Sequence, residues 1–554
     1  MASGQLRYRE HESFEKHGSF GEYYPLSDAA NGYLLPSAFE MAELDRQTIS
    51  NGVPSIELMN RAGEAIAAGI LAAYGATMGS VVLCGSGNNG GDGLVIAKIL
   101  RQRGIVTDVV VIASRRYSAE CSEQLSQLEQ VRVFGGAETI ASGRLKDFES
   151  VTSQELMEII RSSDLVIDSL LGTGQRDAPR GVVGEIVRIV RGAQTSGAKF
   201  KVVAVDIPTG INSDTGGVFT DHIVADRTIS VQCIKRGMLQ FPGRSACGVI
   251  EAVDIGIAGT APVEYSLVVE GELPSLLCRS ADAHKGILGK VLVIGGSLAM
   301  PGAPMLSSLG ALRTGAGIVS RCVRSGWGTI PPLPEAMFEV LGGEAPTFQP
   351  EDIAPVVEMA SRYDVCVIGP GLGVNPGTAE FLVGVLEAFR ARAARVVVDA
   401  DALNLIALAG VNLSGLAAII TPHPGEAGRL LGCSSSEVQD DRYRAARELA
   451  QNLEAVTVLK GAGSIVHDGR KGRLVAEGTP YLATPGSGDV LAGILAACIA
   501  QSKSIAQSKS GNASELREVA ALGVWLHARA GVIAAERRCG PILASEIAEC
   551  LFRL

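Results

Sequence analysis

Gly486, Ser487, Gly488 and Asp489 stand in a row where an apolar, helix-compatible run begins. A turn of that composition gathers backbone N–H groups at a helix N-terminus, where the helix dipole favours an anion. Asp489 then stands beside the bound anion, placed to take a proton from a substrate hydroxyl. Phosphate chemistry next to a general base is the reading; the plainer one is a glycine turn that only starts a helix. A second glycine-rich turn, Gly85-Ser86-Gly87-Asn88-Asn89-Gly90-Gly91-Asp92, follows an apolar run and precedes another helix-like stretch. Its spacing is that of a dinucleotide-binding turn in its proper place between strand and helix. The ordinary dinucleotide fold then shows an acid after the next strand, to hold a ribose hydroxyl. Here that strand ends in Ala113-Ser114-Arg115-Arg116. The missing acid counts against an NAD-dependent dehydrogenase. Asn88, Asn89 and Asp92 point instead to a loop that meets its ligand with side chains, unless the turn only starts a helix.

Asp168 and Asp206 each end a strand-like run in the same half. The C-terminal ends of parallel strands open into one crevice, so Asp92, Asp168 and Asp206 are expected to converge there. Gathered carboxylates serve acid–base work or hold a hard cation; singly, each is as readily an Asx turn that closes a loop. The second half repeats the theme with other motifs. Gly369-Pro370-Gly371-Leu372-Gly373, Asp399-Ala400-Asp401-Ala402-Leu403-Asn404, Thr421-Pro422-His423-Pro424-Gly425-Glu426 and Leu459-Lys460-Gly461-Ala462-Gly463-Ser464 each follow a strand-like run directly.

The elements that position these motifs alternate. Residues 41–73 read as one helix, with Ile56, Met59, Ala62, Ile66 and Ile70 at helical spacing. Strands are expected at 80–84, 108–112, 165–168, 201–205, 227–232 and 249–254. A Gly-, Thr- and Pro-rich loop at 256–262 is the expected boundary. A second cycle follows, with strands at 290–295, 364–368, 395–399, 418–420 and 456–459. The fold class is α/β, with parallel sheets covered by helices. Residues 501–514, polar and low in complexity, read as a surface loop or local disorder.

A chain of 554 residues is too long for one ordinary core. The net charge of −10 gives no general attraction to nucleic acid or anionic membrane. The 11 cysteines include no CxxC pair, so they read as core residues of a reducing compartment. The longest apolar stretches, such as 490–500, are too short to span a bilayer. The N-terminal residues are polar, without an apolar signal core. A soluble cytoplasmic protein is expected.

The motifs Met41-Ala42-Glu43-Leu44-Asp45-Arg46, Gly52-Val53-Pro54-Ser55 and Leu58-Met59-Asn60-Arg61-Ala62-Gly63, with the 88–93 loop, resemble the NAD(P)H-hydrate epimerase domain. The resemblance covers residues 34–259 and leaves 1–33 as a polar tail. It implies a Rossmann-like sheet binding NADHX or NADPHX, reduced nicotinamide cofactors hydrated at C6. It assigns ligand contacts to Asn88, Asn89, Gly90, Gly91 and Asp92, to Gly172, Thr173, Gly174, Gln175, Arg176, Asp177 and Ala178, and to Asp206. Potassium is implied at Asn89, Asp168 and Thr209; the family often has serine where Thr209 stands, and the hydroxyl survives. Lys235 matches a family lysine that balances the carboxylates. Asp206 and Asp92 are both candidates for the acid that assists epimerisation at C6.

The second set of motifs resembles the ADP-dependent NAD(P)H-hydrate dehydratase domain, of the ribokinase-like superfamily, over residues 267–554. The resemblance assigns the substrate hydroxyl to Asp489 and an anion hole to Gly486–Gly488. Lys460, Gly461, Ala462, Gly463, Ser464 and Gly488 are implied to contact the nucleotide, with Ser464 in place of a common threonine. Ala303, Gly371 and His423 are implied to line the hydrate pocket, with magnesium bridging the phosphates. A vitamin or sugar kinase carries the same glycine–aspartate turn, and the first half taken alone is compatible with a non-catalytic binding module. The combined motifs favour a bifunctional repair enzyme that epimerises R and S hydrates and dehydrates the S form with ADP, giving AMP and phosphate. A homo-oligomer is expected.

Overall fold

Short runs of Val, Ile and Leu, apolar on both faces, make strands that must be buried from both sides. They do so in two sheets. The computed structural model describes residues 23–24, 33–76, 78–135, 148–259, 262–274, 276, 284–327, 333–502 and 512–553. Among the described residues the first sheet has nine strands, all paired in parallel. In spatial order they are Tyr23–Tyr24, Val249–Val253, Arg227–Val231, Lys201–Val205, Leu165–Ser169, Ser80–Cys84, Thr107–Ile112, Val131–Phe134 and Phe148–Val151. Chain order reverses between Leu165–Ser169 and Ser80–Cys84, and such a reversal opens a crevice at the strands' C-terminal ends.

The second sheet has ten strands among the described residues. From one edge they run Tyr265–Leu267, Gly472–Val475, Ser464–His467, Val456–Leu459, Ala417–Ile420, Arg395–Val398, Val365–Ile368, Lys290–Ile294, Ile318–Arg324 and Met337–Leu341. All pairs are parallel except the two made by Ser464–His467, which is antiparallel to both neighbours. The reversal lies between Val365–Ile368 and Lys290–Ile294. Under this sheet the apolar helices Ala303–Thr314, Ser487–Gln501 and Ala513–Arg538 pack together.

Several expectations need correcting. The helix expected over 41–73 is two, Ala38–Ser50 and Ser55–Tyr74. Gly52 at φ +101° and Pro54 break it, because proline keeps the residue before it out of the helical region. The first helix is started by a reciprocal cap between Ser37 and Glu40. The strands Val131–Phe134, Phe148–Val151, Ile318–Arg324 and Met337–Leu341 extend the sheets beyond expectation. Ala513–Arg538 is long and apolar enough to cross a membrane, against the reading that no stretch is. It is 67% buried over its apolar window, as a core helix is. Of the polar tail, Tyr23–Tyr24 pairs with Ile250 and Glu251; residues 1–22 and 25–32 lie outside the described residues, as do 503–511 of the polar 501–514 segment and 260–261 of the boundary loop. The ten described cysteines are all free.

Candidate active sites

The first crevice holds a cavity of about 470 Å3 between the loops that follow Ser80–Cys84, Leu165–Ser169 and Lys201–Val205. Asp168, fully buried and not among the residues that line it, accepts the Thr209 backbone N–H and hydroxyl at 2.8 Å each, and the Leu170 N–H at 3.2 Å. Burial pushes its carboxyl up to about 6, although the Thr209 bonds pull the other way. On the cavity wall, the Asn89 side-chain amide is buried with neither its oxygen nor its nitrogen hydrogen-bonded. An orphaned buried amide is rare, because losing water without a partner is costly.

Asp206 follows its strand in the left-handed region, at φ +68°, a conformation a non-glycine residue holds only when its surroundings impose it. Two donors do so: the Val231 N–H at 3.1 Å and the ammonium of Lys235, which ion-pairs with the same carboxylate oxygen. Lys235 is 1% exposed and also donates to Ser230 Oγ at 3.1 Å and the Val231 carbonyl at 2.7 Å. Two further carboxyls face this pair across the cavity, Asp92 and Asp45. Burial, then the charges of Asp206 and Asp45, raise Asp92 well above the usual carboxylate range. Burial raises Asp45 to about 6, with Lys235 opposing the shift and Asp206 adding to it. Three carboxyls around one ammonium cannot all ionise cheaply, so the cluster holds protons near neutral pH.

The second cavity, about 570 Å3, lies beside the start of the Ser487–Gln501 helix. Gly486 precedes that helix at φ +86°, and Ser487 and Gly488 line the cavity. Lys460 donates to Asp399 at 2.9 Å and lies 3.8 Å from Glu426. A Cβ on Gly488 would come within 3.2 Å of Lys460 Nζ, so the missing side chain leaves the ammonium and the helix N-terminus facing one space. Burial, reinforced by the Asp399 charge and opposed by Lys460, raises Asp489 to about 7. Ser487 Oγ meets the buried His527 Nε2 at 3.1 Å, and burial lowers that imidazole to about 4. His423 starts the Pro424–Leu431 helix: its Nδ1 accepts the Gly425 N–H at 3.0 Å, while Glu426 accepts the His423 N–H at 2.8 Å. Burial, Lys460 and Arg429 lower its pKa, leaving a neutral ring at the cavity wall.

Both halves match known families. Residues 291–553 match the family described as NAD(P)H-hydrate dehydratase, and residues 55–237 match the YjeF-related protein N-terminus. A bifunctional NAD(P)H-hydrate repair enzyme Nnr of Moorella thermoacetica is 34% identical over 91% of this chain and 93% of its own. The chain belongs to the bifunctional NAD(P)H-hydrate repair enzyme family. The relative of the same description in Escherichia coli is 35% identical over 81% of this chain and 82% of its own. Among solved structures, an ADP/ATP-dependent NAD(P)H-hydrate dehydratase from Bacillus subtilis, co-crystallised with ATP and magnesium, is 28% identical. It covers 50% of this chain and 93% of its own, with a TM-score of 0.40.

Within this family member, the first site set falls at the reversal of chain order in its sheet, whereas the second cavity lies past the ends of Ala417–Ile420 and Val456–Leu459, away from the reversal in its own sheet. Asn88, Asn89, Asp92, Gly172, Thr173, Gly174, Gln175 and Asp206 all line the first cavity. Gly90 and Gly91 lie behind it: a Cβ on Gly90 would come within 2.0 Å of the Gly85 carbonyl oxygen, and one on Gly91 within 2.4 Å of Met59 Cε. Their smallness lets the helix start close against the strand's end. Arg176, Asp177 and Ala178 are not among its lining residues, and Asp177 lies 3.9 Å from Arg180. In the second unit, Lys460, Gly461, Ala462, Ser464, Gly488 and His423 share the cavity, while Gly463 faces away toward Gln240. Ala303 and Gly371 lie together at the reversal, a Cβ on Gly371 falling 3.1 Å from Ala303 Cβ, but outside this cavity. Asp45, Asp399 and Glu426 have no assigned role in the sequence reading. Asp399 carried the same signal as Asp206, an acid directly after an apolar strand.

Proposed function

We propose that this enzyme repairs hydrated NADH and NADPH in the cytoplasm, epimerising C6 in the first cavity and dehydrating the S epimer with ADP in the second. The observation that carries the reading is the pairing of each cavity with a buried carboxyl: Asp45 lines the first, raised by burial to about 6, and Asp489 follows Ser487 and Gly488 of the second on the same helix, raised to about 7, so each exchanges protons readily near neutral pH.

In the second unit Asp489 takes the proton of the C6 hydroxyl, and the freed oxygen attacks the terminal phosphorus of ADP. The bond to AMP breaks, and C6 now carries phosphate, a far better leaving group than hydroxide. The ring nitrogen's lone pair expels phosphate, and loss of a proton from the adjacent ring carbon restores the double bond. Lys460 and the N–H groups of 486–488 hold charge that develops on the transferred phosphoryl group. Ala303, Gly371 and His423 would seat the hydrate, and 460–464 the nucleotide. Magnesium, when bound, neutralises phosphate charge. Among the described residues no group of three His, Cys, Asp or Glu is placed to hold a metal ion.

In the first unit Asp92 or Asp206 assists departure and return of the C6 hydroxyl, with the Lys235 ion pair holding Asp206 in place. The orphaned amide oxygen of Asn89, whose backbone carbonyl accepts from the Ser169 hydroxyl next to Asp168, fits an oxygen-liganded monovalent cation. Potassium held there would offset the buried carboxylate and pin the 88–92 loop. Asp489→Asn should abolish dehydration and leave epimer exchange intact; Asp206→Asn should do the reverse. Chromatography of the two epimers beside recovery of reduced-nicotinamide absorbance reads both, and a variant that keeps its assigned activity sinks that assignment.

A further inference from the structure

The second cavity is not built by the second unit alone. Its wall includes Phe241, which belongs to the first unit and follows Lys235 by a few residues along the chain. Phe241 is 42% exposed, and it is the only Phe, Tyr or Trp among the described residues that line this cavity. The cavity's aliphatic lining comes from Val475, Leu482, Leu491 and Val524, and its larger polar groups from His423, Lys460, Glu477 and His527. Lys460 and Gly488 face each other on the same wall, a Cβ on Gly488 falling 3.2 Å from Lys460 Nζ.

The segment that carries Phe241 is clamped onto the turn after Lys460. Gln240 donates to the Gly463 carbonyl at 3.3 Å and accepts from Arg442 at 2.8 Å. Arg442 in turn donates to the carbonyls of Leu459, Lys460 and Gly463 at 3.2 to 3.3 Å. Gly463, at φ +70°, lies so close that a Cβ would come within 2.9 Å of Gln240 Nε2 and 3.0 Å of the Leu239 carbonyl oxygen. The backbone that carries the ring is therefore held against the turn that lines the same cavity.

We infer that Phe241 is a binding residue for the nucleotide, presenting its ring to the purine base, so that the first unit completes the co-substrate site of the second. This rests on the nucleotide occupying the second cavity. A base is a flat π-system that gains most from an aromatic face, and replacing such a platform by alanine is costly whichever base is bound. The stack is made equally in ground and transition states, so its loss raises KM for ADP and spares kcat.

The test uses the full chain, with ADP affinity followed by equilibrium titration and ADP-dependent dehydration by steady-state kinetics. Phe241→Ala should weaken ADP binding about tenfold, or about 1.4 kcal/mol, with kcat at saturating ADP near wild type. Phe241→Tyr should keep near-wild-type affinity. Unchanged ADP affinity in Phe241→Ala overturns the proposal. So does a fall in kcat matching the fall in kcat/KM, which a general collapse of the pocket would give. If the wild-type chain binds neither ADP nor ATP, the nucleotide reading itself fails, and this inference with it.

Discussion

At the scale of single residues, the second site depends on a carboxyl held neutral until pH reaches about 7. As a general base Asp489 works only when ionised, so dehydration should fall as pH drops through that value, and the acidic limb should be read in kcat/KM against pH. The same shift weakens the fold. The folded value lies above the unfolded 3.8, so the native state binds the extra proton between the two values and stability declines as pH rises through that window. Asp489→Asn, always uncharged, should therefore raise the urea midpoint above pH 7, with the gain vanishing toward pH 4. In the first site, exchanging potassium for lithium should slow epimerisation and leave dehydration unchanged. Asn89→Ala should remove that cation dependence; epimerisation indifferent to the cation in the unmodified enzyme would contradict the assignment.

At the scale of elements, the start of the Ser487–Gln501 helix is the part with least room for change. Gly488 has ordinary helical geometry, so alanine there folds, but its methyl enters the space before Lys460. Gly488→Ala should weaken ADP binding about tenfold with little loss of stability. Gly486→Ala should instead cost stability, about 1–3 kcal/mol, because φ +86° disfavours a side chain and its Cβ would come within 2.3 Å of Leu306 Cδ1. The strands that end in these motifs were legible because each is a buried Val- and Ile-rich run closed by glycine or an acid; Lys201–Val205 and Val456–Leu459 match residue for residue. Phe148–Val151 and Met337–Leu341 were not, since each lies at a sheet edge with most of its residues exposed or half-buried, and such a strand carries little hydrophobic signal. The break at Gly52 and Pro54 was written in the sequence, and helical spacing on either side masked it. Asp45 stood within a recognised motif, but its approach to Asp206 depends on how its helix docks over distant strand ends, which no local pattern encodes.

At the scale of the whole molecule, the two units share one continuous core. Ile207, Met238 and Leu239 of the first pack with Tyr265, Tyr443 and Leu459 of the second. Arg442, 4% exposed, closes the seam with its charge spread over Gln240 and three carbonyls. Arg442→Met should lower stability by about 3 kcal/mol, read as a urea midpoint shift, and should weaken ADP binding as the 460–463 turn loses its anchor. Joining an epimerase to a dehydratase that takes one epimer lets a mixed hydrate pool be consumed in full. The most direct measurement is therefore to give the purified chain a mixture of R and S NADHX with ADP, magnesium and potassium, and to follow recovery of reduced-nicotinamide absorbance. Complete conversion of both epimers to NADH is the predicted result. Conversion that stops once the S epimer is spent would contradict the first half of the account, and no NADH with either ADP or ATP would contradict the second.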